Sequence, residues 1–219
     1  MGVGHIAIAL GASKTVPRVN VGWLVFAALL SDFLLGIFAS LGLEHSSVPA
    51  SYATQHYLLF TFPYSHGLVP LLAWAALFGF LVSRFYGFDR NRILLVVALV
   101  VLSHFLLDGL VHIAGLPLAG EASPKLGLGL WRNMPVELSL ETVMAIAGIA
   151  VYWKLDNSAP RWIRYAMAIF VLFVTSMTWT QLAATEPPAA QVLKITWIVV
   201  PLLFAGIAFA IDRKRVRSA

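Results

Sequence analysis

Six long apolar stretches run through this chain, at about 19–42, 65–86, 92–115, 135–154, 161–182 and 191–211. Roughly twenty apolar residues are enough to cross a hydrocarbon core as a helix. Of the 219 residues, 60% are hydrophobic and 11% charged, with a mean hydropathy of +0.85. A soluble domain carries about 25% charged residues. The expected fold is therefore all-α: a polytopic transmembrane helix bundle of about six spans, forming one integral membrane domain over 1–219. No internal repeat and no soluble domain is visible.

The cations orient the spans. All the Lys and Arg except Lys125, Arg132 and Lys194 fall in the segments before the first span, after the second, after the fourth and after the sixth. The positive-inside rule then puts both termini of this multi-pass protein in the cytoplasm. The first span is too long for a signal-peptide core and no A-x-A site follows it, so it is expected to be retained. Residues 2–13 are apolar but too short to cross. They can lie flat on the surface or dip into the bundle as a half-helix, and Pro17 separates them from the first span. The segment 43–64, which has no Lys or Arg, and the Gly/Pro/Ser-containing segment 116–134 are expected outside.

Within the third apolar stretch, VVLSHFLLDGLVHIAG carries His104, Asp108 and His112 at spacings of four and four. Residues four apart stack on one helix face. Each charge in hydrocarbon costs at least ~2.5–3.5 kcal/mol on insertion scales, so the stripe calls for a partner. With no cysteine in the chain, thiolate sites and disulfides are excluded. His and Asp at helical spacing suit a divalent metal ion, zinc being the expected one. One ion cannot take all three residues, because His104 and His112 lie ~12 Å apart along the axis.

Counting depth at 1.5 Å per residue puts Asp32, ~20 Å into the first span, level with His104, ~18 Å into the third. The same count puts His66 level with His112, Glu137 near His112, and Glu141 near Asp108. A dipping N-terminal half-helix carries His5 towards Asp32 and His104. The ionisable groups thus converge on the outer half of the bundle, in the half of the chain covering 1–153. Residues 154–219 read as plain spans.

Several stretches resemble, in order and spacing, a bacterial family of small integral membrane proteins described as membrane-bound metal-dependent hydrolases. They are GHIAIALGASK, LLSDFLLGIF, FPYSHGLVPLLAW, SHFLLDGLVH and SPKLGLGLW, covering most of 1–153. The resemblance implies that residues 3–13 enter the bundle and that His5, Asp32, Ser65, His66, His104, Asp108 and His112 form the polar site. The chain departs from the family's longer His-Arg-Gly-x-Thr-His-Ser signature, having only Ser-His-Gly at 65–67.

The expected function is a hydrolase with its metal on His5, Asp32, His104 and Asp108, and with Glu141, His112 and His66 as acid–base groups. Ser65, Lys125 and Arg132 are the substrate-binding candidates, the two cations suiting a phosphate or carboxylate. The substrate would be a lipid-like or amphiphilic ester, amide or phosphoester, and the partner is the lipid bilayer. Nucleic acid has no place here. Three alternatives share the residues: a proton- or metal-ion-conducting transporter, a haem or quinone protein using His66 and His112, and a non-catalytic membrane subunit whose polar cluster only holds the bundle. His45, His56, Asp89, Asp156 and Asp212 read as solvated. Trp74, Trp131, Trp153, Trp162, Trp179 and Trp197 read as an aromatic belt.

Overall fold

A computed structural model describes residues 2–154 and 160–218, with side chains as far as Arg213. Asp156 and the side chains of the tail cations Lys214, Arg215 and Arg217 lie outside the described residues. The helices are α1 (Gly2–Ala12), α2 (Val21–Ala28), α3 (Leu30–Ser40), α4 (Tyr52–Gln55), α5 (Leu68–Arg84), α6 (Arg90–Val111), α7 (Met134–Trp153), α8 (Arg161–Trp179) and α9 (Ala190–Ser218). The strands among the described residues are two short antiparallel hairpins. One pairs β1 (His45–Ser47) with β2 (Leu59–Thr61), and the other pairs β3 (Leu116–Pro117) with β4 (Lys125–Leu126).

Among the described residues, four helical stretches are long and apolar enough to cross a membrane unbroken: Arg90–Val111, Leu130–Trp153, Arg161–Ala183 and Ala190–Arg213. The expected first span is broken, because α2 and α3 meet at a 51° bend and make a fifth span only as a pair. The expected second span is α5, whose 17 residues reach ~25 Å, short of a hydrocarbon core of ~30 Å. Length and composition therefore support four or five spans rather than six.

The bundle is apolar outside and encloses a polar cluster within a largely apolar core. Large side chains such as Leu106 (70% exposed), Ile169 and Phe173 face outward, while His5, Ser65, His66, His104, Asp108, Glu137 and Glu141 are buried. A contiguous exposed apolar surface is what a membrane solvates. Buried ionisable groups facing a bundle interior are the usual way such residues are tolerated.

The segment with two sequence-level placements, residues 2–13, dips. α1 lies inside the bundle with Val3, Gly4, His5, Ile6, Ala7, Ala9 and Leu10 buried, in contact with α2, α6, α7 and α8. It gets that close because Gly148 of α7 has no side chain. A Cβ there would sit 2.9 Å from the Ala7 backbone. Small residues at such crossings let helices meet where no hydrophobic effect drives them together.

Asp212 corrects one expectation. Far from being solvated, it is fully buried. It accepts from the Val21 amide at 2.8 Å and from the Tyr152 hydroxyl at 2.5 Å. Val21 N is one of the amides a helix start leaves without an intrahelical partner, so a carboxylate near the end of α9 anchors the beginning of α2. Gly148→Val should push α1 off α7 and lower stability by about 1–3 kcal/mol, read as an earlier unfolding midpoint in detergent. An unchanged midpoint would contradict the tight crossing.

Candidate metal centre

α6 presents His104 and Asp108 one turn apart, both buried, and ends at His112, its C-terminal cap. Asp108 is the meeting point of the imidazoles. His5 Nε2 donates to its Oδ1 at 3.1 Å, and His112 Nε2 donates to its Oδ2 at 3.2 Å. His104 Nε2 lies 3.3 Å and His66 Nε2 3.7 Å from the same Oδ2. The His5 ring also stacks on His104, with centroids 3.8 Å apart and planes 5° from parallel. The stripe is therefore continued by two residues from outside α6, one on α1 and one just before α5.

The bend between α2 and α3 matters chemically. Ala28 is the last residue of α2, and a helix leaves its final carbonyls without intrahelical partners. His104 Nδ1 lies 2.7 Å from the Ala28 carbonyl oxygen. A carbonyl only accepts, so Nδ1 carries the proton and Nε2 faces the cluster. On the other side of the bend α3 starts with Asp32 in its first turn. Its Oδ1 stands 3.9 Å from His104 Nε2 and 3.8 Å from His66 Nε2, and those two nitrogens are 3.2 Å apart.

These separations match a metal site. Ligand atoms on a tetrahedral ion with bonds of about 2.0–2.2 Å stand about 3.3–3.6 Å from one another. Two triads, His5/His104/Asp108 and Asp32/His66/His104, bring one donor atom per residue within 4.8 Å of each other and share His104. A histidine fixed by a backbone carbonyl through its second nitrogen is also the usual outer arrangement of such sites. The donor set of imidazole and carboxylate fits a divalent ion. His5 Nδ1 is buried with no hydrogen-bond partner among the described residues.

The expected residues do not all play the same part. His5, Asp32, His66, His104, Asp108 and His112 come together. Glu141 is buried nearby, but its carboxylate accepts from the Val3 amide at 2.9 Å, tying down the start of α1. Ser65 is fully buried, its hydroxyl occupied on both sides, so it offers nothing to a substrate. Arg132 is exposed, and Lys125 is exposed on β4, where it lines a small cavity beside His112. His56 is half-buried, with Nδ1 3.0 Å from the Ala184 oxygen, and so is not a free solvated side chain.

Two aromatic residues leave the expected belt for the site: Trp131 lies 4.1 Å from His112 ring to ring, and Trp197 lines the cavities beside Asp32 and Glu141. With Phe62, whose ring packs on His66 and His112, Trp131 covers the cluster. Gly127 lets the covering loop close. It has φ +152°, and a Cβ there would collide with the His112 carbonyl.

Glu44 is the site residue that no motif marks. It is buried. One carboxylate oxygen accepts from the amides of Tyr64 and Ser65 at 2.8 and 2.9 Å, and the other from the Ser65 hydroxyl at 2.6 Å. Ser65 Oγ is in turn 2.8 Å from His66 Nδ1. Pairing of β1 with β2, which sets His45 opposite Thr61, brings Glu44 back to residues 64–66.

The fold and site together describe a multi-pass, all-α membrane protein with a buried His/Asp cluster able to hold a metal ion. No protein-family model, curated protein or solved structure matches the chain.

The two cluster aspartates should respond differently to loss of charge. Asp108→Asn leaves an imidazole N–H without its acceptor and should cost about 1–3 kcal/mol. Asp32→Asn, whose side chain is 30% exposed, should cost less. Equal unfolding midpoints for the two variants would remove Asp108 from its place at the centre.

Proposed function

We propose that this chain is a metal-dependent hydrolase embedded in the bacterial inner membrane, with both termini cytoplasmic and α5 as a sixth, short span. The family resemblance of residues 1–153 points the same way. One observation carries the reading: imidazole and carboxylate donors from α3, α6 and the segment before α5 converge at the spacing of a metal's ligands. Asp32, His66 and His104 would hold the ion, with Asp108 beside the two imidazoles, and His5 would orient Asp108 through its hydrogen bond. A divalent ion held there, zinc by its donor set, would supply Lewis-acid polarisation of a scissile ester, amide or phosphoester group.

The remaining residues divide the work. Asp32 opens onto a 370 Å³ space between α3, α8 and α9 lined by Leu29, Val174, Met177, Val200 and Phe204. An acyl chain fits such a lining, which supports a lipid-like or amphiphilic substrate approaching from the bilayer. A neighbouring 360 Å³ cavity contains Glu137 and Glu141 and shares Gly2, Met177, Thr178 and Trp197 with the first. It would take the polar end of the substrate, with Glu137 nearby. His112 donates its Nε2 proton to Asp108 and would orient that carboxylate from the side opposite His5. Phe62 and Trp131 exclude water from the outer side.

Elemental analysis of detergent-purified protein tests the metal. Stoichiometric zinc, manganese or iron is expected in the unmodified chain, and its loss is expected in His66→Ala and His104→Ala with folding intact. No metal above background after incubation with zinc or manganese would sink the hydrolase reading and leave a proton path or a packing device. For the substrate route, Val200→Trp fills the apolar cavity. It should raise KM for long-chain ester substrates while metal content stays unchanged; an unaltered KM would mean the chain enters elsewhere.

A further inference from the structure

We infer that Glu44, acting through Ser65, is a positioning residue that fixes the tautomer of His66 and so gives the cluster a nitrogen lone pair. The inference rests on the metal reading above and concerns a residue outside the ligand set.

The deduction is a count of protons. A carboxylate only accepts hydrogen bonds, and a serine hydroxyl has one proton to donate. Ser65 Oγ lies 2.6 Å from Glu44 Oε2 and 2.8 Å from His66 Nδ1. With its proton given to Glu44, the hydroxyl can only accept from His66. Nδ1 therefore carries the ring proton and Nε2 carries a lone pair. That Nε2 stands 3.2 Å from His104 Nε2, whose own proton is held on the far side of its ring by the Ala28 carbonyl. Two lone pairs thus face each other beside the Asp108 and Asp32 carboxylates. Such a point is repulsive until a cation occupies it.

Glu44 itself has no freedom to turn. Its Oε1 is held by two backbone amides, those of Tyr64 and Ser65. This makes Glu44→Gln informative. The backbone amides keep the carbonyl oxygen of the new side chain, so its NH2 group must take the place of Oε2 and donate to Ser65. The hydroxyl then turns its proton to His66 Nδ1, and the ring proton moves to Nε2, where it blocks the metal. Replacing the carboxylate by its near-isostere inverts a three-residue relay without removing an atom from the ligand set.

The test is two-bond ¹H–¹⁵N correlation NMR of histidine-labelled, metal-free protein in detergent, with zinc titration of the same samples. In the unmodified chain His66 and His104 should both be Nδ1–H tautomers. In Glu44→Gln, His66 should become the Nε2–H tautomer, His104 should stay as it was, and zinc affinity should fall about 10–100-fold. A Glu44→Gln protein with His66 still protonated at Nδ1 and zinc affinity unchanged would overturn the inference.

Ser65→Ala covers the case in which Glu44→Gln does not fold. Glu44 keeps its amide bonds there while the relay is cut, so His66 should show both tautomers and a smaller loss of affinity. A single Nδ1–H form in Ser65→Ala would also refute it. If the unmodified chain binds no zinc but Glu44→Gln still moves the proton, the relay stands and the metal reading falls.

Discussion

The carboxylate of Asp108 holds this structure's interior together. It stands in the last turn of a membrane-spanning helix, where a lone charge is costly; the His5 and His112 rings donate to it, and two further imidazoles approach it. His5 comes from α1, His66 from the segment before α5, and His104 and His112 from turns on either side of Asp108 along α6. Each of those contacts imposes something on the fold. His5 requires α1 to enter the bundle instead of lying on its surface, and that entry requires a glycine on α7 where the two helices cross. His66 requires the β1–β2 hairpin to turn back over the cluster. The polar centre is therefore an organising element of the bundle as well as its candidate chemistry.

The second requirement is a supply of acceptors aimed at the backs of the His104 and His66 rings. The bend at Leu29 provides one, because ending α2 early releases the Ala28 carbonyl to His104 and restarts the chain with Asp32 turned towards the cluster. An unbroken first span would have kept that carbonyl for its own helix. The same break that spoils a regular transmembrane helix thus completes the site, in keeping with the rule that irregular backbone at membrane depth is tolerated where it lines protein interior.

Much of the core of this arrangement could be read from the chain. Spacing alone put His104, Asp108 and His112 on one face, and counting rise per residue brought Asp32 level with His104 and Glu141 into the neighbourhood. What escaped did so for identifiable reasons. Glu44 is a lone acid in a segment rich in Ser, Tyr and Thr, and only the strand pairing of residues 45–47 with 59–61 carries it to Ser65; no periodicity encodes that. Asp212 lies beside a run of cations at a span end, where charges are ordinarily solvated, and its burial depends on α2 starting against it. The bend at Leu29 has no proline or glycine at the break to announce it. Ser65 was visible, but whether its hydroxyl faces a substrate or a buried carboxylate depends on Glu44. The length of α5 is a further case, since hydropathy continued past both of its helical ends.

The burial of α1 has a consequence for how such a protein is made. α1 packs against α7, and its Val3 amide is held by Glu141, 138 positions further along the chain. During vectorial insertion this segment emerges long before the groove that receives it exists. Until α6 and α7 are in place it is a short apolar helix whose His5 lacks Asp108 and whose Val3 amide lacks Glu141. Maturation of the cluster is therefore a late event, and the earliest part of the described chain is among the last to reach its final position.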